Sequence, residues 1–156
     1  MKKKPFLITA VMVVLALGLY LLLNGKGEMH VEIPTDGLSY VVANSQGLGP
    51  KELDYAGHAR AIDQVVQMVN GEYSHMGSWS SIGYSGGGPY TISFYRQGET
   101  EPYTEISYVD DRLAVARRQL GQFDLYKKKE GSVSFQSFEA YLRENGTPNK
   151  NYKRAQ

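Results

Sequence analysis

The sequence predicts an α+β protein: an N-terminal transmembrane helix, then a small domain of a mostly antiparallel sheet with one or two helices packed on one face. Three observations carry that expectation. Residues 6–23, "FLITAVMVVLALGLYLLL", hold no charge and follow the basic cap Met1-Lys2-Lys3-Lys4. Period-two alternation then recurs in four successive runs between Pro89 and Lys128, the signature of consecutive strands. Beyond the first segment, helical spacing marks one stretch before that block and one after it. Strands grouped apart from helices favour α+β over an alternating α/β architecture.

Residues 1–5 form the basic cap and residues 6–23 the span. Its eighteen residues, at about 1.5 Å each, make roughly 27 Å of helix, close to the thickness of a bilayer's hydrocarbon core. A cleaved signal peptide also starts basic and turns apolar, but its apolar centre is shorter and ends in small residues. Leu21-Leu22-Leu23-Asn24-Gly25-Lys26 offers no such site, and without cysteine there is no lipoprotein anchor. The expectation is an uncleaved signal-anchor whose partner is the lipid bilayer. Three lysines precede the span and one follows it, which keeps the N-terminus cytoplasmic and places the C-terminal domain outside.

Residues 24–28 read as a stalk and 29–146 as the ectodomain. Met29 to Ile33 is a first strand stopped by Pro34, and Leu38 to Ala43 a second. The stretch "NSQGLGPKELDYAG" reads as a loop. In "HARAIDQVVQMVN", Ile62, Val65, Val66 and Val69 recur at helical spacing, and Asn70-Gly71 is a stop signal. "PYTISFY", "YTEISYV", "RLAVARR" and "GQFDLYKK" are the four alternating runs, the middle two joined by a turn at Asp110-Asp111. "SFQSFEAYLREN" places Phe135, Phe138, Tyr141 and Leu142 on one face, with Ser134 as N-cap and Asn145-Gly146 as the end. Residues 147–156 lack an apolar pattern and read as a flexible tail.

Charge narrows the partners. The seventeen Lys and Arg include Lys2, Lys3, Lys4 and Lys26; the remaining thirteen face sixteen Asp and Glu, a net of −3 beyond the span. A mildly acidic domain has no electrostatic drive toward nucleic acid.

"GYSGGGP" (residues 83–89) fits G-x-S-x-G, the nucleophile elbow of serine hydrolases, and resembles the serine loop of trypsin-like proteases. An elbow needs a helix after the serine, yet Ser85 is followed by three glycines, a proline and a strand pattern. His75 is the last histidine, so the hydrolase order fails, and the protease fold needs far more chain. Ser85 therefore reads as part of a glycine-rich loop, and no catalytic residue is assigned. No phosphate-binding glycine motif occurs at a strand-to-helix junction, and no cofactor is implied. Glu28, His30 and Glu32 share one strand face but are too spread to close on one metal ion. Glu99 and Glu101 sit on a loop, where solvation is the simpler reading. Lys127-Lys128-Lys129 reads as a solvated hairpin tip.

One segment stands out. "YSHMGSWSSIGYSGGGPY" (Tyr73 to Tyr90) concentrates Tyr, Ser and Gly around the only tryptophan, the composition of binding loops. Tyr73, Trp79, Tyr84 and Tyr90 are its candidate ligand surface. In the competing reading, Trp79, Ile82 and Tyr84 form an alternating strand, with Trp79 packed on the Ile62/Val65/Val69 helix face. A lone tryptophan in a small domain usually finishes in the core, which favours the second reading.

The Ile33-Pro34 step, the following strand, the helix ending near Asn70 and the Y-x-I-x-F strand resemble small membrane-anchored or lipoprotein domains of Gram-positive bacteria. The resemblance spans roughly residues 29 to 126 and rests on pattern. It implies location and fold, not activity. Function is expected to be a membrane-anchored binding or accessory domain, with an envelope component or neighbouring membrane protein as partner. The alternatives are a structural subunit of a membrane complex and, last, an envelope hydrolase.

Overall fold

The computed structural model describes residues 27–45, 47–80, 89–116 and 121–152. In chain order the elements are β1 (Glu28–Val31), β2 (Leu38–Asn44), β3 (Lys51–Asp54), α1 (Tyr55–Val69), β4 (Gly71–Ser80), β5 (Tyr90–Arg96), β6 (Thr104–Val109), β7 (Arg112–Ala116), β8 (Gln122–Lys128), α2 (Gln136–Asn145) and β9 (Thr147–Pro148). The strands form one sheet in the order β1-β4-β8-β7-β6-β5-β2-β3-β9, antiparallel at every pairing. The α+β class is as the grouping of strands and helices implies. Among the described residues no helix is long and apolar enough to cross a membrane, and the span at 6–23 lies outside them.

Both helices pack on the same sheet face. Ile62, Val65, Val66 and Val69 of α1, with Phe138 and Leu142 of α2, close over Val41, Leu53, Ile92, Phe94, Ile106, Tyr108 and Leu113. The α1 stripe is the one its spacing predicts, but the helix starts three residues before His58. Asp54 is the reason: its carboxylate accepts a 2.6 Å hydrogen bond from the Gly57 N–H, satisfying a first-turn donor. His58 then departs from helical geometry at φ −130°. At the other end, Asn70 caps α1 and its Oδ1 accepts the Ile33 N–H at 2.9 Å, tying the segment after β1 to the helix. Gly71 leaves that cap at φ +140°, where an added Cβ would lie 2.9 Å from Lys128 Cε. Only glycine suits both conditions.

Several expectations need correction. The stretch read as a loop after Asn44 contains β3, whose Lys-Glu-Leu-Asp sequence offers a single apolar residue. Pairing with β2 buries that residue, Leu53, so a tertiary contact supplies the strand that local sequence does not. α2 begins at Gln136 with Phe135 at its N-cap and no side-chain cap, so Ser134 does not serve there. The tail read from 147 is pinned at its start. Thr147 and Pro148 pair with Glu52 and Lys51, and Asn149 bonds the Pro50 carbonyl at 3.0 Å and the Glu52 carboxylate at 2.7 Å. That short strand covers the outer edge of β3, where open backbone groups would otherwise invite another chain. The three lysines are not a free tip either. Lys127 and Lys128 lie in β8, Lys128 Nζ donates to the Met68 carbonyl at 2.7 Å, and Lys129 pairs with Glu28.

Candidate functional site

The segment singled out from sequence is a strand from Gly71 to Ser80, and a bulge decides where its aromatic residues go. His75 is opposite Tyr126 while Gly77 is opposite Leu125, so β4 takes two steps where β8 takes one. Met76 is the extra residue, swung out to 58 % exposure, and Gly77 accommodates the bend at φ +133°. A spacing of six would put Tyr73 and Trp79 on the same face of a regular strand. The bulge reverses the phase, and they point to opposite faces.

Tyr73 therefore belongs to the helix-covered core, fully buried. Its hydroxyl donates to the Val69 carbonyl at 2.6 Å and lies 2.5 Å from the Tyr108 hydroxyl. Since Tyr73 spends its proton on Val69, Tyr108 is the donor between the two phenols. Burial raises the pKa of both above the usual phenol value. Tyr90 is half-buried on β5, its ring stacked on Phe135 at 4.6 Å. Its hydroxyl is enclosed without a hydrogen-bond partner among the described residues, and burial, helped by the Glu139 carboxylate, raises its pKa strongly. Trp79 does not touch the α1 stripe. It packs with Phe123, centroids 5.4 Å apart, on a small cluster of Val109, Ala114 and Leu125 on the opposite sheet face. Tyr84 and Ser85 lie outside the described residues. The structure thus brings none of Tyr73, Trp79 and Tyr90 together into a ligand surface.

Trp79 remains the one of these aromatics with an outward aspect. Because it caps a satellite cluster and not the main core, Trp79→Ala should cost about 1–3 kcal/mol, below the ~3–5 kcal/mol of a fully buried aromatic. Thermal unfolding checks this, and a loss at the upper figure would return Trp79 to the core.

Beside Trp79, sequence reading missed a polar cluster. Ser78 Oγ donates to Asp124 Oδ1 at 3.1 Å, and His75 Nε2 lies 3.5 Å from the same oxygen. The imidazole stands edge-on to Tyr126, centroids 5.3 Å apart. Asp124 is 8 % exposed. These residue types suggest a catalytic triad, but the order in space is wrong for one. The carboxylate sits between hydroxyl and imidazole, so His75 is not placed to take the Ser78 proton. The cluster instead holds the two strands together around the bulge. Only the pair Gly77 and Met76 hinted at it, since a glycine inside a strand often marks a bulge.

The other two histidines also have polar neighbours. His30 Nδ1 is 2.6 Å from Glu72 Oε1, and His58 Nδ1 is 2.9 Å from the Tyr141 hydroxyl. Among the described residues no three His, Asp or Glu side chains converge as a metal site. A cleft of about 160 Å³ between α1 and α2 is lined by Val65, Met68, Phe138 and Tyr141 with Gln64 and Ser137. Ligand pockets usually enclose about 300 Å³ or more, so this one has room for a side chain at most. No protein-family model, curated protein or solved structure matches the chain.

Proposed function

We propose that the protein is a membrane-anchored, extracytoplasmic binding or accessory domain, acting on an envelope component or a neighbouring membrane protein. The observation that carries this reading is the charge-free run from Phe6 to Leu23 behind Lys2, Lys3 and Lys4, which has the length and flanking charge of a signal-anchor. The likeness to small anchored domains of Gram-positive bacteria, and the partly buried Trp79–Phe123 pair, support it. A structural subunit of a membrane complex is the neighbouring reading, because the same anchor would serve it.

Topology is the direct test. In a bacterial host, protease added to sealed spheroplasts should remove a C-terminal tag, and the mature chain should retain residues 1–26. A tag that survives while the spheroplasts stay sealed would reverse the orientation. A mature N-terminus beyond residue 24 would eliminate the anchor.

A further inference from the structure

The register of β1 on β4 says which end of the domain faces the anchor. Glu28 is opposite Ser74, and β4 runs on to Ser80. The strands are antiparallel, so residues 75–80 project backward past the start of β1, toward the chain that precedes it. Six residues less the one absorbed by the bulge give five steps, about 17 Å at strand rise. From Leu23, the last residue of the apolar run, to Glu28 is also five steps, at most about 18 Å when fully extended. The overhang of β4 is as long as its tether.

That end of the sheet has the chemistry of an interface. Met76 and Val115, 58 % and 38 % exposed, are the most exposed large apolar side chains among the described residues. Both lie there, Val115 directly across β8 from Ser78 through their shared neighbour Asp124. Trp79 and Phe123 complete it, backed by Val109, Ala114 and Leu125. At the β4–β8–β7 corner of this end, described residues 76–80, 115–116 and 122–124, only Asp124 can carry charge, and it is buried. Arg96, Glu99, Glu101 and Glu105 lie at the same end farther across the sheet, and the sequence joining β7 to β8 contains Arg117 and Arg118. The opposite end holds the ion pairs Arg112–Asp110 and Lys127–Asp111. Tryptophan and other amphipathic or apolar groups, as at this corner, suit the headgroup layer.

We propose that this tip, Met76, Trp79, Val115 and Phe123, rests in the headgroup region of the bilayer that anchors the chain. The proposal rests on the anchored reading above. Length allows the contact: headgroups add about 5–7 Å on each side of the hydrocarbon core, so a straight, fully extended tether in line with β1 leaves the end of β4 at lipid, and a less extended one brings Met76 down to it as well. Docked this way, the domain is held in a fixed attitude on the membrane, with the Asp110-Asp111 turn outward.

Trp79 is the only tryptophan, so its fluorescence reports the contact. Full-length protein would be reconstituted into phosphatidylcholine/phosphatidylglycerol vesicles with and without headgroup-level nitroxide lipids, then floated after an alkaline wash. The expected result is flotation with emission at least halved by the nitroxide. Met76→Glu, an exposed position that leaves the core intact, should float equally and recover most of that emission. Flotation with no quenching by lipid, whether acrylamide reaches the indole or a second copy shields it, would overturn the tip contact and leave the anchor standing. Failure to float would overturn both. Equal quenching in Met76→Glu would remove Met76 from the contact and with it the tip as drawn.

Discussion

Replacing Tyr73 with alanine should cost about 3–5 kcal/mol, the range for deleting a fully buried aromatic side chain. That is a large share of the ~5–15 kcal/mol that holds a domain folded. Two effects add. The ring fills space beneath α1 among fully or nearly fully buried neighbours, and its hydroxyl links the last carbonyl of α1 to Tyr108. Tyr73→Phe separates them. It keeps the ring but strips the Val69 carbonyl of its donor and the Tyr108 hydroxyl of its acceptor, so about 1–3 kcal/mol should be lost. Tyr108→Phe should be milder, because Tyr73 still donates to Val69 and loses only an incoming bond. Chemical denaturation of the three variants checks the order. Equal costs for the two phenylalanine variants would show that the phenols do not form a directed chain. A Tyr73→Ala protein of unchanged stability would restore Tyr73 to the surface role its sequence neighbourhood suggests.

The main core was legible because its signals are periodic. Ile62, Val65, Val66 and Val69 occupy one face of a helix, and Ile92 with Phe94 one face of a strand, so spacing alone assigns them. The Asp110-Asp111 turn was legible for a local reason. It joins β6 to β7, and Asp110 takes φ +56°, a conformation aspartate tolerates better than most residues. β3 was not legible, since a strand with one apolar residue owes its existence to the neighbours on either side. The aromatic segment failed differently. Its composition is that of a loop and its alternation is broken at Met76, so neither period nor propensity marks ten residues of strand. The bulge that breaks the pattern also separates Tyr73 from Trp79, which is why residues grouped by sequence are not grouped in space. Asp124 was invisible for the same kind of reason: in "GQFDLYKK" it is a polar residue on an alternating strand. Only the register with Ser78 shows it to be buried.

Alkaline pH should unfold this protein cooperatively. Tyr73 and Tyr108 are 0 % and 1 % exposed, and burial raises the folded pKa of each above the unfolded value near 10; Tyr90 behaves alike, with burial the larger cause and Glu139 the smaller. A group with a raised folded pKa contributes stability that is fully present below its unfolded pKa and lost as pH rises. Above about pH 10 the unfolded chain sheds these protons and the folded one keeps them, so it binds fewer, and stability falls by about 1.4 kcal/mol per pH unit for each group. Tyr108 and Tyr90, the two with large shifts, together remove roughly 3 kcal/mol per unit, and Tyr73 adds to this until pH passes its own folded value, enough to exhaust a stability at the low end of ~5–15 kcal/mol within about two units. Phenolate absorbance at 295 nm and far-ultraviolet circular dichroism, followed together, decide the matter. The less buried tyrosines should titrate first, with the fold intact. The remaining absorbance should then appear in one step with the loss of circular dichroism. The double variant Tyr73→Phe/Tyr108→Phe sharpens the test: removing both members of the pair leaves no orphaned phenol and takes two of the raised groups out of the balance. Its unfolding step should move to higher pH and become less steep. If all tyrosines of the unaltered chain titrate together near pH 10 while circular dichroism is unchanged, the phenols are not sealed beneath α1 and α2, and the packing assigned to that face of the sheet is wrong.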